Sequence, residues 1–189
     1  MQSAKSAAHA ALRAGRWHEA KELLQRFCVT QAGDADAWYW LGLAHANLGL
    51  FGEAANALAR AVSCNARHFP AHHTLGGVLV RLGRIDQAVD SLRQAIKAKP
   101  SFVEAHSDLG NALRLAGRFG EAEQSLRKAL KLKSNEARAH YHLALVYKQQ
   151  RRYADAAACC RIAVALQPAF AEAHNELGNV LQSLGEHEE

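Results

Sequence analysis

The sequence contains few of the residues that break helices, cross-link chains or span membranes. Its 189 residues include only three prolines and six phenylalanines, and its four cysteines show no CxxC spacing. No uninterrupted apolar run approaches the ~18 residues that a membrane-spanning helix needs, and the alanine-rich start lacks the apolar block of a secretory signal. These absences argue against a disulfide scaffold or a membrane protein, and they predict a cytoplasmic protein.

Alanine is the residue that the sequence has in excess, and it recurs at regular intervals. Because alanine has the highest helix propensity and is depleted from strands, we predict an all-α fold. Small residues return in columns spaced by 34 positions. One column is Ala20, Ala54, Ala88, Ala122 and Ala156, and another is Gly15, Gly49, Gly83, Gly117 and Gly185, with Arg151 in the place of a glycine.

The spacing divides the chain into complete units and one partial unit. The units are residues 1–34, 35–68, 69–102, 103–136 and 137–170, followed by a partial unit, 171–189, with a first helix only. Apolar residues recur at helical spacing on both sides of each punctuating glycine, so each unit is predicted to be two amphipathic helices joined by a turn. One unit alone cannot bury both helices, and neighbouring units must therefore stack into a single array.

The columns resemble the tetratricopeptide repeat family, whose pattern is W, L-G, a tyrosine-like position, A, a bulky position, A and then P. The second unit shows this pattern as Trp38, Leu41, Gly42, His45, Ala54, Leu58 and Ala61, and the closing prolines are Pro100 and Pro168. The tryptophan column becomes His72, His106, His140 and His174, which is similar to repeats of bacterial O-linked N-acetylglucosamine transferase-like proteins. The resemblance implies an α-solenoid, a right-handed superhelix with the first helices inside.

The inner wall of such a superhelix is the predicted site of function. Its amino-terminal half offers aromatic and small apolar side chains, and its carboxy-terminal half offers polar and charged ones suited to an extended peptide. Since aromatic residues are enriched at binding hot spots, the exposure expected for Tyr39, Trp40, Tyr141 and His142 favours binding over an ordinary solvated surface. The predicted groove residues are Tyr39, Trp40, Leu43, His73, Asp108, Asn111, Arg114, Tyr141, His142, Lys148 and Asn179.

No catalytic, cofactor or metal site is predicted. The columnar histidines lie one per unit, separated by a packed layer of about 8–10 Å, so they cannot share a zinc ion and are interpreted as packing or hydrogen-bonding residues. Cys28, Cys64, Cys159 and Cys160 fall in second helices or at their ends, mostly at packing columns, and are interpreted as buried reduced thiols. The net charge of +5 lies largely on the outward faces of second helices and alternates with carboxylates, so no nucleic-acid partner is predicted.

The leading hypothesis is a non-catalytic scaffold that binds a peptide or protein segment in the groove. The carboxylate clamp of chaperone-binding members is not expected, since Lys5 alone matches its pattern. The last helix keeps an interior packing stripe, so we expect the chain to be the amino-terminal part of a longer protein. The alternative hypothesis is thus a substrate-recognition superhelix for a glycosyltransferase or sulfotransferase domain. The same stripe, within residues 171–184, would permit weak self-association.

Overall fold

A computed structural model describes residues 2–188, with side chains described for residues 4–185. Over this range all regular secondary structure is helical, and no helix there is both long and apolar enough to cross a membrane. The helices are α1 (Gln2–Arg13), α2 (Trp17–Thr30), α3 (Ala35–Asn47), α4 (Phe51–Cys64), α5 (Phe69–Arg81), α6 (Ile85–Ala98), α7 (Val103–Leu115), α8 (Phe119–Leu132), α9 (Ala137–Gln149), α10 (Tyr153–Leu166) and α11 (Ala171–Glu188).

The helices form two compact units, Met1–Pro100 and Ser101–Glu189. Within each unit, every first helix packs against the second helix that follows it, and that second helix packs against the next first helix. First helices also contact each other, α1 with α3 and α3 with α5 in the first unit, and α7 with α9 and α9 with α11 in the second. This stacking of hairpins is the arrangement of an α-solenoid within each unit, and it confirms the predicted all-α fold.

The two helices of a hairpin approach closely because a glycine on one faces a leucine on the other. A Cβ atom on Gly76 would lie 2.5 Å from Cγ of Leu92, and Leu92 is fully buried. No methyl group fits between these helices unless the leucine moves. The same pairing recurs as Gly42 with Leu58 and Gly110 with Leu126.

The last complete hairpin fills these two positions with a different pair of residues. The repeat register places Ala144 of α9 and Cys160 of α10 where the second, third and fourth hairpins have glycine and leucine, and both are fully buried. A larger residue on the first helix therefore accompanies a smaller residue on the second. Compared with the glycine–leucine hairpins, the combined side-chain volume of the two residues therefore changes less than the volume of either residue does.

A residue in the left-handed backbone conformation makes the turn inside each hairpin. Gly15, Gly49, Gly83 and Gly117 have φ values from 70° to 76°, and Arg151 adopts φ 60° at the equivalent place. Gly185, which belongs to the same column, lies inside α11 and does not make a turn. Glycine permits the left-handed conformation but does not impose it, and the helix continues through this position.

Arg151→Gly is expected to raise the free energy of unfolding by about 0.5–1 kcal/mol. The left-handed conformation costs a side-chain-bearing residue about 1–2 kcal/mol, and the greater entropy of glycine in the unfolded chain offsets part of the relief. Urea denaturation followed by circular dichroism measures the change. The reverse exchange, Gly83→Arg, should destabilise the protein, and a loss of stability in Arg151→Gly would contradict this account.

Side chains of the tryptophan and histidine column hold α3, α5, α9 and α11 to the loops that precede them. The ring nitrogens of Trp38, His72, His140 and His174 lie 2.9, 3.1, 2.9 and 2.9 Å from the carbonyl oxygens of Ala32, Ala66, Ser134 and Pro168, each six residues earlier. Since a carbonyl only accepts, each of these histidines carries its proton on Nε2. For these three histidines the hydrogen-bonding interpretation is confirmed. Tryptophan and histidine can share this column because each ring presents an N–H to the carbonyl oxygen six residues earlier.

Three of the four cysteines are buried, as predicted, and one is exposed. Cys28, Cys159 and Cys160 are buried, and burial raises the pKa of the Cys28 and Cys159 thiols to about 11. Cys64 is exposed, so its predicted burial is wrong. It is the last residue of α4, where the neighbouring residues 63 and 65–67 are exposed as well, and its thiol donates to the carbonyl of Ala32 at 3.3 Å.

Candidate functional site

The predicted binding residues lie on the first helices of the hairpins, and each unit holds its own group. We call these groups the first-helix surfaces. In the first unit the surface consists of Tyr39, Trp40, Leu43 and His73, all half-buried. In the second unit it consists of Asp108, Asn111, Arg114, Tyr141, His142, Lys148 and Asn179.

Trp40 is held in place by side chains of α1. The His9 ring stacks on it with centroids 4.7 Å apart and planes 23° from parallel, and Nζ of Lys5 lies 5.2 Å from the Trp40 centroid. Lys5, Ser6, His9 and Trp40 line a shallow pocket of about 190 Å³. The indole is thus a fixed aromatic wall that a partner side chain can contact without reordering it.

Tyr39 and Tyr141 occupy equivalent positions in the two units and are packed in the same way. Each lies against a ring at the residue just before the next first helix. Tyr39 is 5.1 Å from the His68 ring, and Tyr141 is 5.0 Å from the Phe170 ring, measured between centroids. Because Phe170 lies in a loop, helical periodicity did not identify it as part of this surface.

His68 also fixes the start of α5. Its Nδ1 accepts a hydrogen bond from the backbone N–H of Ala71 at 3.1 Å, and its Nε2 lies 3.1 Å from a carboxylate oxygen of Asp36. The ring therefore caps the helix with one nitrogen and joins α3 with the other. This places it in a fixed orientation against Tyr39.

Ion pairs join consecutive first helices across these surfaces. Lys5 binds Asp34 at 2.6 Å, Arg138 binds Asp108 at 2.8 Å, and Lys148 binds Glu176 at 2.9 Å. The side chains of Asp108 and Glu176 are only 18% and 12% exposed. Asp108 and Lys148, both predicted to bind a partner, are thus already paired within the chain.

The Asp34 pair also stabilises the start of α3. Burial opposes ionisation of this carboxyl group, but hydrogen bonds from Lys5 and from the N–H of Ala37 outweigh it and hold its pKa below the usual value. The Ala37 hydrogen bond, 2.9 Å long, is the N-cap interaction of the helix. One carboxylate therefore both caps α3 and links it to α1.

Arg114 and Asn111 form a polar pair on α7. The Nε and Nη2 atoms of Arg114 donate to Oδ1 of Asn111 at 3.2 and 3.0 Å. Burial lowers the pKa of Arg114, and nearby Tyr141 and Glu176 partly oppose this effect. Burial also raises the pKa of Tyr141, with further contributions from Glu176 and Glu172. These couplings place the arginine and the tyrosine in one electrostatic neighbourhood.

The structure contradicts the exposure predicted for His142, because this residue is only 7% exposed. The other members of its column, Trp40, Thr74, Asp108 and Glu176, are half-buried, so this repeat position is partly covered in each first helix. Neither ring nitrogen has a hydrogen-bond partner among the described residues. Burial lowers the pKa of His142 to about 4, with Arg138 adding to the effect and Asp108 opposing it.

Other chemistry on the described residues is limited. No group of three or more histidine, cysteine, aspartate or glutamate side chains within residues 4–185 could hold a metal ion. The described residues also line a larger cavity of about 460 Å³, whose walls include Arg67, Gln94 and Lys97. It lies at the α4–α5 loop and the end of α6, outside the first-helix surfaces.

Two family models match parts of the chain. A model described as tetratricopeptide repeat matches residues 73–137 and 141–189, more than half of the chain. A model described as anaphase-promoting complex, cyclosome, subunit 3, matches residues 14–95. No curated protein matches the sequence.

Solved structures of helical repeat proteins are similar over most of the chain. MamA from Desulfovibrio magneticus RS-1 is 23% identical, with a TM-score of 0.81 over 90% of this chain and 96% of its own. A thermophilic TPR protein from Thermus thermophilus, TTC0263, is 24% identical, with a TM-score of 0.74 over 96% and 98%. YrrB, described as a TPR protein with an unusual peptide-binding site, is 20% identical, with a TM-score of 0.76 over 89% and 87%. These likenesses establish the fold.

Proposed function

Because this chain belongs to the tetratricopeptide repeat family, we propose that it is a non-catalytic scaffold that binds a peptide or protein segment on its first-helix surfaces. The observation that carries the proposal is the pair of half-buried tyrosines, Tyr39 and Tyr141. Both units hold such a ring at the same repeat position, and in both a neighbouring ring fixes it. Pre-positioned aromatic side chains bind with little loss of conformational entropy, and they are typical of interaction hot spots.

The peptide-binding site named for YrrB supports the same role. The alternative role, substrate recognition for a linked glycosyltransferase or sulfotransferase domain, would use the same surfaces and stays a prediction. Self-association through α11 also stays a prediction. In α11, Leu177 and Leu184 are half-buried, Leu181 is 40% exposed, and the space beside Gly178 is open among the described residues.

The scaffold proposal is tested by removing both tyrosines. Twelve-residue peptides are selected from a phage library on the 189-residue chain, and their affinities are measured by fluorescence anisotropy. Tyr39→Ala combined with Tyr141→Ala should weaken binding by about 100-fold or more, since hot-spot aromatics contribute about 2 kcal/mol or more each. Helicity should not change.

Tyr153→Ala serves as the matched control, because this half-buried tyrosine lies on a second helix. It should leave affinity within about twofold, well below the tenfold change that 1.4 kcal/mol represents. If the double variant binds the selected peptides as tightly as the wild type does, or if no peptide can be selected, the scaffold proposal fails.

A further inference from the structure

A cavity of the first unit, away from the first-helix surfaces, is lined by two cations. It measures about 460 Å³, and the described residues that line it are Ala66, Arg67, Gln94, Lys97 and Ala98. None of these side chains is acidic. Among the described residues, no carboxylate lies within 4.0 Å of the guanidinium group of Arg67 or the ammonium group of Lys97. The cavity therefore offers two positive charges that no ion pair neutralises.

The two cations are not part of the repeat framework. At 34-residue spacing, the loop residues equivalent to Arg67 are Gly33, Ser101, Asn135 and Ala169. The residues equivalent to Lys97 are Val29, Ser63, Lys131 and Ala165. Only the hairpin formed by α5 and α6, with the loop before it, combines a cation at both positions. Packing of the repeat therefore requires neither charge.

The cavity also depends on a small residue in the last turn of α6. Ala98 occupies the repeat position that Leu132 has in α8 and Leu166 has in α10. Because Ala98 lines the cavity, its short side chain leaves open a volume that a leucine would occupy. The resulting space of about 460 Å³ is within the range of about 300–1,000 Å³ that is typical of sites for small organic molecules.

Contacts within the first unit hold the walls of the cavity in position. The carbonyl oxygen of Ala66 accepts a hydrogen bond from Nε2 of His72 at 3.1 Å, which fixes the loop to α5. Nζ of Lys99, just after α6, lies 4.7 Å from the centroid of the Phe69 ring at the start of α5. Both walls are thus attached to the same helix, and a ligand would enter without reordering their backbone.

We propose that this cavity binds a phosphate monoester, with Arg67 and Lys97 on the phosphate group and the amide of Gln94 donating beside them. A phosphate monoester carries about −1.5 to −2 charges near neutral pH, which two cations match. A guanidinium fork can bond two phosphate oxygens, and a lysine ammonium group acts as a mobile point charge on the third. A single carboxylate would leave one of the two positive charges unmatched.

The remaining volume accommodates part of the organic group that carries the phosphate. That group is either a small molecule or a phosphorylated side chain, and the chemistry of recognition is the same for both. The site lies outside the first-helix surfaces, so it is a second binding function and does not depend on the scaffold proposal.

The test follows the Arg67 Nε–H and the backbone amides of residues 66–67 and 94–98 by ¹⁵N NMR in the 189-residue chain. Four anions are titrated: inorganic phosphate, glycerol 3-phosphate, a blocked Ala-phosphoserine-Ala and acetate. We expect saturable shifts with at least one of the two monoesters and binding of acetate that is about 10-fold weaker or less, as expected for the loss of a bond between charged groups. The tighter-binding monoester distinguishes a small molecule from a phosphorylated side chain.

Arg67→Gln and Lys97→Gln should each weaken binding of the tighter monoester by about 10-fold. Ala98→Leu should also weaken it, because the added atoms occupy the cavity while both cations remain. Lys131→Gln removes a lysine at the equivalent position of α8 and should bind like the wild type. All four residues are exposed, and circular dichroism reports whether each variant folds.

The phosphate site is overturned if neither monoester shifts these signals, or if acetate binds as tightly as the monoesters do. Wild-type affinity in both Arg67→Gln and Lys97→Gln, or in Ala98→Leu, also overturns it. An equal loss in Lys131→Gln would show that the anion responds only to the overall positive charge, and it counts against the site in the same way. None of these outcomes affects the test of Tyr39 and Tyr141, so the two proposals fail independently.

Discussion

Gly76→Ala is expected to lower the free energy of unfolding by about 1–3 kcal/mol, the usual cost of overpacking a core. In most helices the same exchange stabilises by about 0.5–1 kcal/mol. Here the new Cβ atom would lie 2.5 Å from Cγ of the fully buried Leu92, so this core side chain would have to shift. Urea denaturation of the purified variant measures the loss.

The adjacent residue provides the control for this prediction. Gly77 lies on the same helix, is exposed, and has no atom within 4 Å of where its Cβ would be. Gly77→Ala should therefore stabilise by about 0.5–1 kcal/mol. A double variant, Gly76→Ala with Leu92→Cys, should be more stable than the sum of the two single changes predicts. If Gly76→Ala stabilises as much as Gly77→Ala does, the close contact with Leu92 does not determine the effect of the substitution on the free energy of unfolding.

Acid should destabilise the protein through His142. The folded protein holds the pKa of this ring at about 4, against an ordinary value of 6.5. Between these values the unfolded chain binds a proton that the folded chain does not, so stability falls as the pH drops from about 6.5 towards 4. Since each pKa unit corresponds to about 1.4 kcal/mol, the loss reaches roughly 3 kcal/mol near pH 4.

The measurement compares wild type with His142→Gln, whose side chain stays neutral, by urea denaturation from pH 7.5 to pH 4. The difference in unfolding free energy between the two proteins should change by roughly 3 kcal/mol over this range. Burial also lowers the pKa of His45 and His72, with the same sign, but both remain in the variant and cancel in the comparison. Parallel pH profiles would show that His142 is not buried as described.

The helical repeat was predictable because small residues in register record the contacts that recur in every hairpin. What repeats from unit to unit can be inferred from a single sequence. Features that depart from the repeat cannot be inferred in this way. Arg151 takes the same left-handed conformation as the glycines of its column, because the packed helices on either side determine the turn whichever residue makes it.

The candidate site was less predictable, because a helical wheel treats each helix as if it were alone. His142 and Lys148 lie on the predicted side of α9, but the neighbouring first helices decide what happens to them. The imidazole is covered, and the ammonium group is paired with Glu176. Arg114 could be identified as a wall residue from its position. Its lack of a carboxylate partner is visible only once the opposing helices are in place.

The pair formed by Ala144 and Cys160 bears on how such arrays are altered by duplication and recombination. A crossover that joined a first helix carrying glycine to α10 would put glycine against cysteine, which leaves a void. The opposite junction would put alanine against leucine, the pair that Ala8 and Leu24 already form in the repeat register of the first hairpin, where both are fully buried. A crossover in the loops between hairpins carries both residues together and avoids the void. Exchange of the whole last hairpin therefore needs no compensating mutation at this contact, whereas exchange of α10 alone does.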